Sequence, residues 1–319
     1  MKSKSKGVLA LALLGALFGT LPVQAQVYQK DNGVLRVRLN EGGYPMITSM
    51  WLLNSLVVPH DNAGADFQIA LRSNRGNAYN PTQGGDCKGN ASKLTGVIPN
   101  WNNNLGLPAG NGILLGVTPR DYGEPDGTYC AGKGALLPFE MNFGVTLGDG
   151  VRIPKEAMIL DLSSKRLQGA EEIVPQMSDM PSIFINNNIF RYAYYSTDGR
   201  TFQAFDQGVS THDSVAWPLM TNYYLHARTL VLCNVPNAIS DPRAGACVGL
   251  YSHDTVLAYA SNRRGARNNL TLLSLLSDAP PVTDYNWHTV RKAFISGNLE
   301  TVTAVSAGLD ASISDWGGW

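Results

Sequence analysis

Four side chains of the types that move protons or neutralise charge on a sugar are spread through the sequence. His212 lies in a polar segment and is followed directly by Asp213. A neutral imidazole is the most common general base near neutral pH, and a tyrosine hydroxyl such as that of Tyr195 can return the proton. Arg191 and Asn80 are a cation and an amide, which stabilise a carboxylate beside the proton being removed. These residues form the predicted catalytic set.

The remaining histidines and acids fit structural positions better. His226 lies on an apolar strand, His60 and His253 lie in turns, and His288 opens a predicted helix. Glu140 stands between two apolar residues on an alternating strand, where it faces either solvent or a cleft. The sequence contains no paired His or Cys spacing, nucleophile elbow, phosphate loop or dinucleotide fingerprint. We therefore expect no metal and no cofactor.

Aromatic and amide side chains predict a separate set of ligand contacts. The segment Gly76–Asp86 carries Tyr79 and Gln83 among glycines and asparagines. An amide both donates and accepts hydrogen bonds, and an aromatic ring covers the apolar side of a sugar. We predict that Tyr79 and Gln83 bind a ligand together with Trp101 and Trp217. The alternative is a turn whose side chains bond their own backbone, with the tryptophan rings packed in the core.

The hydrophobic pattern predicts an all-β protein. Hydrophobic residues make up 44% of the 319 residues and charged residues only 16%, so the chain can bury a sizeable core. Short runs with a two-residue period alternate with turn signals such as Asn32-Gly33 and Asp198-Gly199. Helical periodicity is confined to Asn268–Leu276 and His288–Ile295. Because the sequence shows no linker and no repeat, we expect one antiparallel β-sandwich domain over residues 26–319 with short helical additions.

The first 25 residues have the features of a signal peptide. A lysine-rich start precedes an apolar stretch, and small residues at the end of the segment, up to Ala25, suit cleavage by a signal peptidase. The apolar stretch is shorter than the roughly 20 residues that a bilayer requires. We expect cleavage after Ala25, a secreted or periplasmic location and no membrane span.

Charge and cysteine content fit an exported protein that does not bind nucleic acid. Removing the three lysines of the leader leaves 22 basic and 25 acidic side chains, so the protein has no positive field for a polyanion. The four cysteines allow three disulfide connectivities. We predict Cys87–Cys130 and Cys233–Cys247, because each pair closes one loop rich in Asn, Gly and Pro.

Four runs of the sequence carry a resemblance to a known fold family. They are Gly64–Gln68, Tyr79–Gln83, Arg191–Tyr195 and Val248–Tyr251. In character these runs resemble uncharacterised secreted proteins with a galactose-mutarotase-like β-supersandwich. The resemblance implies an antiparallel β-supersandwich and, by analogy, a carbohydrate ligand on its concave sheet. The Asn-His-x-Tyr-Phe signature of characterised mutarotases is absent, so sugar epimerisation is not implied.

Two classes of function follow from these observations. The first is a secreted carbohydrate-active enzyme, in its most specific form a polysaccharide lyase acting on a glycan that contains uronic acid. The alternative is a non-catalytic β-sandwich module that binds carbohydrate or protein. The sequence gives no indication of the oligomeric state.

Overall fold

A computed structural model describes residues 26–59, 67–74, 78–79, 92–103, 105–108, 110–120, 136–172, 179–204, 225–263, 267–273 and 283–318. Within these residues the chain is mostly antiparallel β-strand, with a single α-helix. The predicted all-β, sandwich-like class is therefore confirmed. The predicted signal peptide lies outside the described residues.

A small sheet is formed by the first four strands in the order of the chain. These strands are β1 (Tyr28–Asp31), β2 (Leu35–Leu39), β3 (Ile47–Leu52) and β4 (Ser55–Val58), with a 3-10 turn at Glu41–Gly43. The predicted turn at Asn32-Gly33 joins β1 to β2, and the side chain of Asn32 accepts hydrogen bonds from two backbone amides of that turn. Gly33 has a φ of 84°, which glycine adopts without strain.

A large sheet contains the other described strands. They are β5 (Phe67–Arg72), β6 (Ala78–Tyr79), β7 (Lys93–Ile98), β8 (Gly112–Thr118), β9 (Phe139–Leu147), β10 (Ala157–Arg166), β11 (Asp179–Asn186), β12 (Tyr192–Ser196), β13 (Gln203–Ala204), β14 (Leu225–Cys233), β15 (Cys247–Arg263), β16 (Arg267–Leu273), β17 (Trp287–Gly297) and β18 (Gly317–Gly318). Hydrogen-bonded neighbours run in the order β6-β5-β11-β16-β15-β17-β10-β9-β8-β7. The strands β14, β12 and β13 extend from the other edge of β15, and β18 pairs with β17.

Strand β15 joins the two halves of the large sheet. Its first residues pair with β17 and its last residues with β16, while β14 follows its other edge. Between Tyr251 and Val256, four residues of β15 lie opposite the single residue Arg228 of β14. A bulge of this kind bends the strand and redirects its side chains. The sheet therefore changes direction here, and residues from its two halves can face each other.

The main core lies between these layers. Phe67 of β5 and Phe143 of β9, from opposite halves of the large sheet, pack edge to face with ring centroids 5.8 Å apart. Leu35 and Val37 of the small sheet belong to the same buried cluster. This shared core is what makes the fold sandwich-like.

A second apolar cluster lies on the other side of the large sheet, under the helix α1 (Leu299–Ser312). Asn298 caps this helix by accepting a hydrogen bond from the Thr301 amide. The helix buries Leu299, Val302 and Leu309, together with Val305 and Ser306, at helical spacing. Within the described residues no helix is long and apolar enough to cross a membrane.

The two helical segments expected from the sequence are wrong. Residues 268–273 of the first segment lie in strand β16, residues 274–276 are outside the described residues, and His288–Ile295 lies within strand β17. Both strands have neighbours on their two edges. In β17 the consecutive residues Ala293, Phe294 and Ile295 are all buried, because one side packs on the main core and the other on the helix. The two-residue alternation that marks a strand is therefore lost.

The predicted disulfide between Cys233 and Cys247 is present. The two cysteines are register partners at the end of the β14–β15 pair, and their Cα atoms lie 4.0 Å apart. The other predicted pair, Cys87 and Cys130, lies outside the described residues.

Candidate functional site

Most of the predicted site residues lie in segments that the structure does not describe. His212, Asn80, Gln83 and Trp217 are all outside the described residues. Tyr79 is described only by its backbone, which pairs with Leu71 of the neighbouring strand. Whether these side chains converge on one face stays a prediction.

Arg191 and Tyr195, the two described members of the predicted catalytic set, both bind local partners. The guanidinium of Arg191 donates to the backbone oxygens of Asn187 and Asn188, at 3.2 and 3.3 Å, which closes the turn before β12. The hydroxyl of Tyr195 donates to Gln203 across the β12–β13 pair, at 2.9 Å. Four residues of extended strand separate their Cα atoms by about 13 Å. Each therefore has a structural role in its own turn or strand pair.

Trp101 lies on a different surface of the protein. An ideal Cβ at Gly144 of β9 would lie 2.5 Å from the indole ring of Trp101, so this ring covers the glycine. Gly144 follows Phe143, whose ring lies in the main core, so the indole lies on the opposite side of the sheet. We call this side of β7, β8, β9, β10 and β17, where the helix does not cover it, the outward face.

A row of small polar side chains crosses the outward face from strand to strand. Asn142, Ser163 and Thr289 are consecutive register partners on β9, β10 and β17. The hydroxyls of Ser163 and Thr289 are hydrogen-bonded at 2.8 Å. At the other end Gly116 pairs with Asn142, and an ideal Cβ at Gly116 would lie 2.9 Å from the Thr95 hydroxyl. We call Thr95, Gly116, Asn142, Ser163 and Thr289 the polar row.

Two indole rings flank the polar row on opposite sides. Trp287 is the register partner of Lys165, one outward position beyond Thr289. It is 44% exposed, and its ring lies 5.9 Å from the Lys165 ammonium. Trp101 covers Gly144, one outward position beyond Asn142 in the other direction. The face therefore has a polar centre with an aromatic ring on each side.

The charged side chains of β9, β10 and β17 on this face are paired. Lys165 lies 3.7 Å from Glu140, and Arg291 donates to Asp161 at 2.6 Å. Asn103 also donates to Asp161, at 3.2 Å. Burial raises the pKa of Asp161, although Arg291 and Asn103 act in the opposite direction. Glu140, which the sequence left between solvent and cleft, is thus half-exposed and bound to a lysine.

A second polar group lies where β15 bends. Both carboxylate oxygens of Asp310 on α1 accept hydrogen bonds from Arg228, at 2.9 Å. One of them also accepts from the Tyr251 hydroxyl and from Nδ1 of His253, the latter at 2.8 Å. The ring of His253 stacks on Trp316 with centroids 5.5 Å apart. We call these five residues the Asp310 cluster.

The electrostatics of the Asp310 cluster favour an ionised carboxylate. Burial alone would raise the pKa of Asp310, but hydrogen bonds from Tyr251, His253 and Arg228 outweigh it and hold the pKa below its usual value. Burial and the hydrogen bond to Asp310 raise the pKa of Tyr251. A carboxylate can only accept from Nδ1, so in the neutral imidazole Nε2 of His253 is the acceptor. Nε2 makes no hydrogen bond with any other described residue.

From the sequence, His253 is predicted only to lie in a turn. Its partner Asp310 stands 57 residues further along the chain, on a helix that the sequence analysis did not predict. The helix itself is recognisable in the sequence, because Asn298 precedes apolar residues at helical spacing. No sequence pattern predicts its contact with His253.

Comparison with known proteins adds no assignment. No protein-family model matches the chain, and no curated protein matches it. Among the described residues, no group of three or more His, Cys, Asp or Glu side chains could hold a metal ion.

Proposed function

We propose that the protein binds carbohydrate on the outward face. The observation that carries the proposal is the polar row of hydroxyl and amide side chains with an indole ring on each side. Hydroxyl and amide groups both donate and accept hydrogen bonds, as sugar hydroxyls do. An indole ring provides an apolar surface for the C–H side of a sugar ring.

Export of the protein is part of the same proposal. The Cys233–Cys247 disulfide supports it, because such bonds persist mainly in oxidising compartments outside the cytosol. Together with the leader-like first 25 residues, it supports a location in which the binding face would meet extracellular or periplasmic glycans.

Affinity electrophoresis of the purified protein in gels that contain different polysaccharides tests the binding function. We expect at least one polysaccharide to retard the wild-type protein and the Trp287→Ala variant to lose most of this retardation. Trp51→Ala is the matched control, since Trp51 lies on the small sheet beside Arg36 and Arg38. The absence of retardation by every polysaccharide, or equal retardation of Trp287→Ala and wild type, would contradict the proposal.

A second candidate function is proton transfer on a carbohydrate, and the His253–Asp310 pair favours it. An imidazole held by a carboxylate, with its second nitrogen free to accept, is a competent general base. In its lyase form this function also requires a cation for the uronate carboxylate. Arg228 does not supply that cation freely, because both oxygens of Asp310 already bind it.

The lyase form has a direct assay. Incubation with uronate-containing polysaccharides should give an unsaturated product that absorbs ultraviolet light, and His253→Ala should abolish it. If none of these substrates gives an absorbing product, the lyase function is contradicted and only the binding function remains.

A further inference from the structure

The polar row has a length and direction that restrict what can bind to it. Its members lie on five neighbouring strands, β7, β8, β9, β10 and β17, so it spans about 19 Å at the usual strand spacing. Asn142 points outward between Met141 and Phe143, which are buried in the main core, and Ser163 and Thr289 are its register partners. Thr95 points to the same side, because its hydroxyl lies 2.9 Å from an ideal Cβ at Gly116. A ligand that contacts the whole row therefore lies across the strands.

Gly116 lets two polar groups of the row lie close together. A Cβ at this position would lie 2.9 Å from Thr95 Oγ1 and 3.6 Å from Asn142 Oδ1. A side chain there would therefore push the Thr95 hydroxyl or the Asn142 amide out of its place. The glycine thus keeps these two groups side by side on the outward face.

The charges beside the row favour an uncharged ligand over an ionised one. On β9, β10 and β17 the outward side chains include two acids and two bases, paired as Lys165 with Glu140 and Arg291 with Asp161. An anionic sugar would have to compete with a carboxylate for either cation. Lys93 is exposed on the edge strand β7, outside these three strands.

We propose that the polar row binds an extended neutral oligosaccharide that lies across the strands, between the rings of Trp287 and Trp101. This inference rests on the carbohydrate-binding function proposed above and adds the charge, length and direction of the ligand. A chain of several sugar units contacts the whole row, and a single unit contacts only part of it.

Calorimetric titration with two series of oligosaccharides tests this proposal. One series, from two to six units, is cut from the neutral polysaccharide that retards the protein most, and the other consists of oligogalacturonides of the same lengths. We expect affinity to rise about tenfold or more between two units and the longest neutral chain, and oligogalacturonides to bind about tenfold or more weakly.

Two variants test the position of the chain. Gly116→Val displaces the Thr95 and Asn142 side chains from the row, and Asn142→Ala removes a polar group from it without adding bulk. Both should lower the affinity for long neutral chains about tenfold while barely changing that for the shortest. Trp51→Ala is the control for binding, and melting curves report whether each variant is folded.

The outcomes separate the two proposals. Equal affinity for neutral and uronate chains, equal affinity for short and long chains, or unchanged binding by both row variants would overturn the inference and leave carbohydrate binding intact. No binding of any oligosaccharide by the wild-type protein would overturn the proposed function itself.

Discussion

Asp310 holds three side chains of the β15 bend through one carboxylate. Arg228 is only 18% exposed, and its Nη2 donates to both carboxylate oxygens of Asp310. We expect Asp310→Asn to lower the free energy of unfolding by about 1–3 kcal/mol at pH 7, because a largely buried cation loses its counter-charge. Urea unfolding measures this change. Glu300→Gln, an acid-to-amide change at an exposed position of the same helix, should have little effect.

The pH dependence of that difference gives a second check on the same residue. The pKa of Asp310 is lowered in the folded state, so the unfolded chain takes up its proton first as the pH falls. The stability that Asp310 contributes is complete above its unfolded pKa of about 3.9 and is lost as the pH falls through the lower folded pKa. Wild type and Asp310→Asn should therefore converge in strong acid. A constant difference between them would contradict this account.

Lys292 is a buried cation with the opposite effect at neutral pH. It is 4% exposed, and its ammonium donates to the Ser252 hydroxyl at 2.6 Å. Burial lowers the pKa of Lys292 to about 8, although the charge of Asp254 raises it in part. An unfolded lysine has a pKa of about 10.4, so between these values the unfolded chain binds more protons and stability rises with pH.

Replacement of Lys292 by methionine isolates this contribution. Wild type should gain stability relative to Lys292→Met as the pH rises from 8 to 10, by about 2 kcal/mol. The lost hydrogen bond to Ser252 adds an offset that does not depend on pH over this range. Urea unfolding at several pH values gives both quantities. Parallel pH profiles for the two proteins would show that the amine is not perturbed.

The strands illustrate what periodicity can and cannot predict. The run Val34–Leu39 alternates in the sequence, and the structure buries Leu35, Val37 and Leu39 on one side of β2. The sequence has two apolar runs at residues 246–251 and 255–259 with polar residues between them, which favours two separate strands, but both runs belong to the single strand β15. The polar bulge residues between them interrupt the pattern but do not end the strand.

The outward face could not be derived from the sequence, for a physical reason. Thr95, Asn142, Ser163 and Thr289 lie on four separate strands, and only the register brings them into one row. Each alone is an ordinary solvent-facing residue of an alternating strand. Trp101 was predicted to bind a ligand from its side-chain type, and its position on the face required the structure. The resemblance to galactose-mutarotase-like proteins stays a prediction.

The β14–β15 pair depends on the disulfide at its end. Cys233 and Cys247 are 14 residues apart and close an irregular loop between the two strands. Replacing both by serine should lower the free energy of unfolding by about 3 kcal/mol, the value expected for a loop of this length. Thermal or urea unfolding under oxidising conditions checks it. A double variant as stable as wild type would mean that the loop is ordered in the unfolded chain or stabilised by other contacts.

At the scale of the whole molecule, the bend in β15 separates two surfaces of the large sheet. The helix and the Asp310 cluster cover the outer side beside the bend, whereas the members of the polar row on the neighbouring strands are partly or fully exposed among the described residues. The small sheet packs on the opposite side, where it completes the main core. Because a rigid sheet supports it, we expect the polar row to be preformed before a ligand binds.

The indole N–H signals of the tryptophans in an NMR titration with a neutral oligosaccharide test the central claim most directly. Trp→Phe variants assign each signal. We expect the signals of Trp287 and Trp101 to shift with one common affinity, while that of Trp51 on the small sheet does not move. Binding that shifts Trp51 but neither Trp287 nor Trp101 would place the carbohydrate elsewhere and contradict the account.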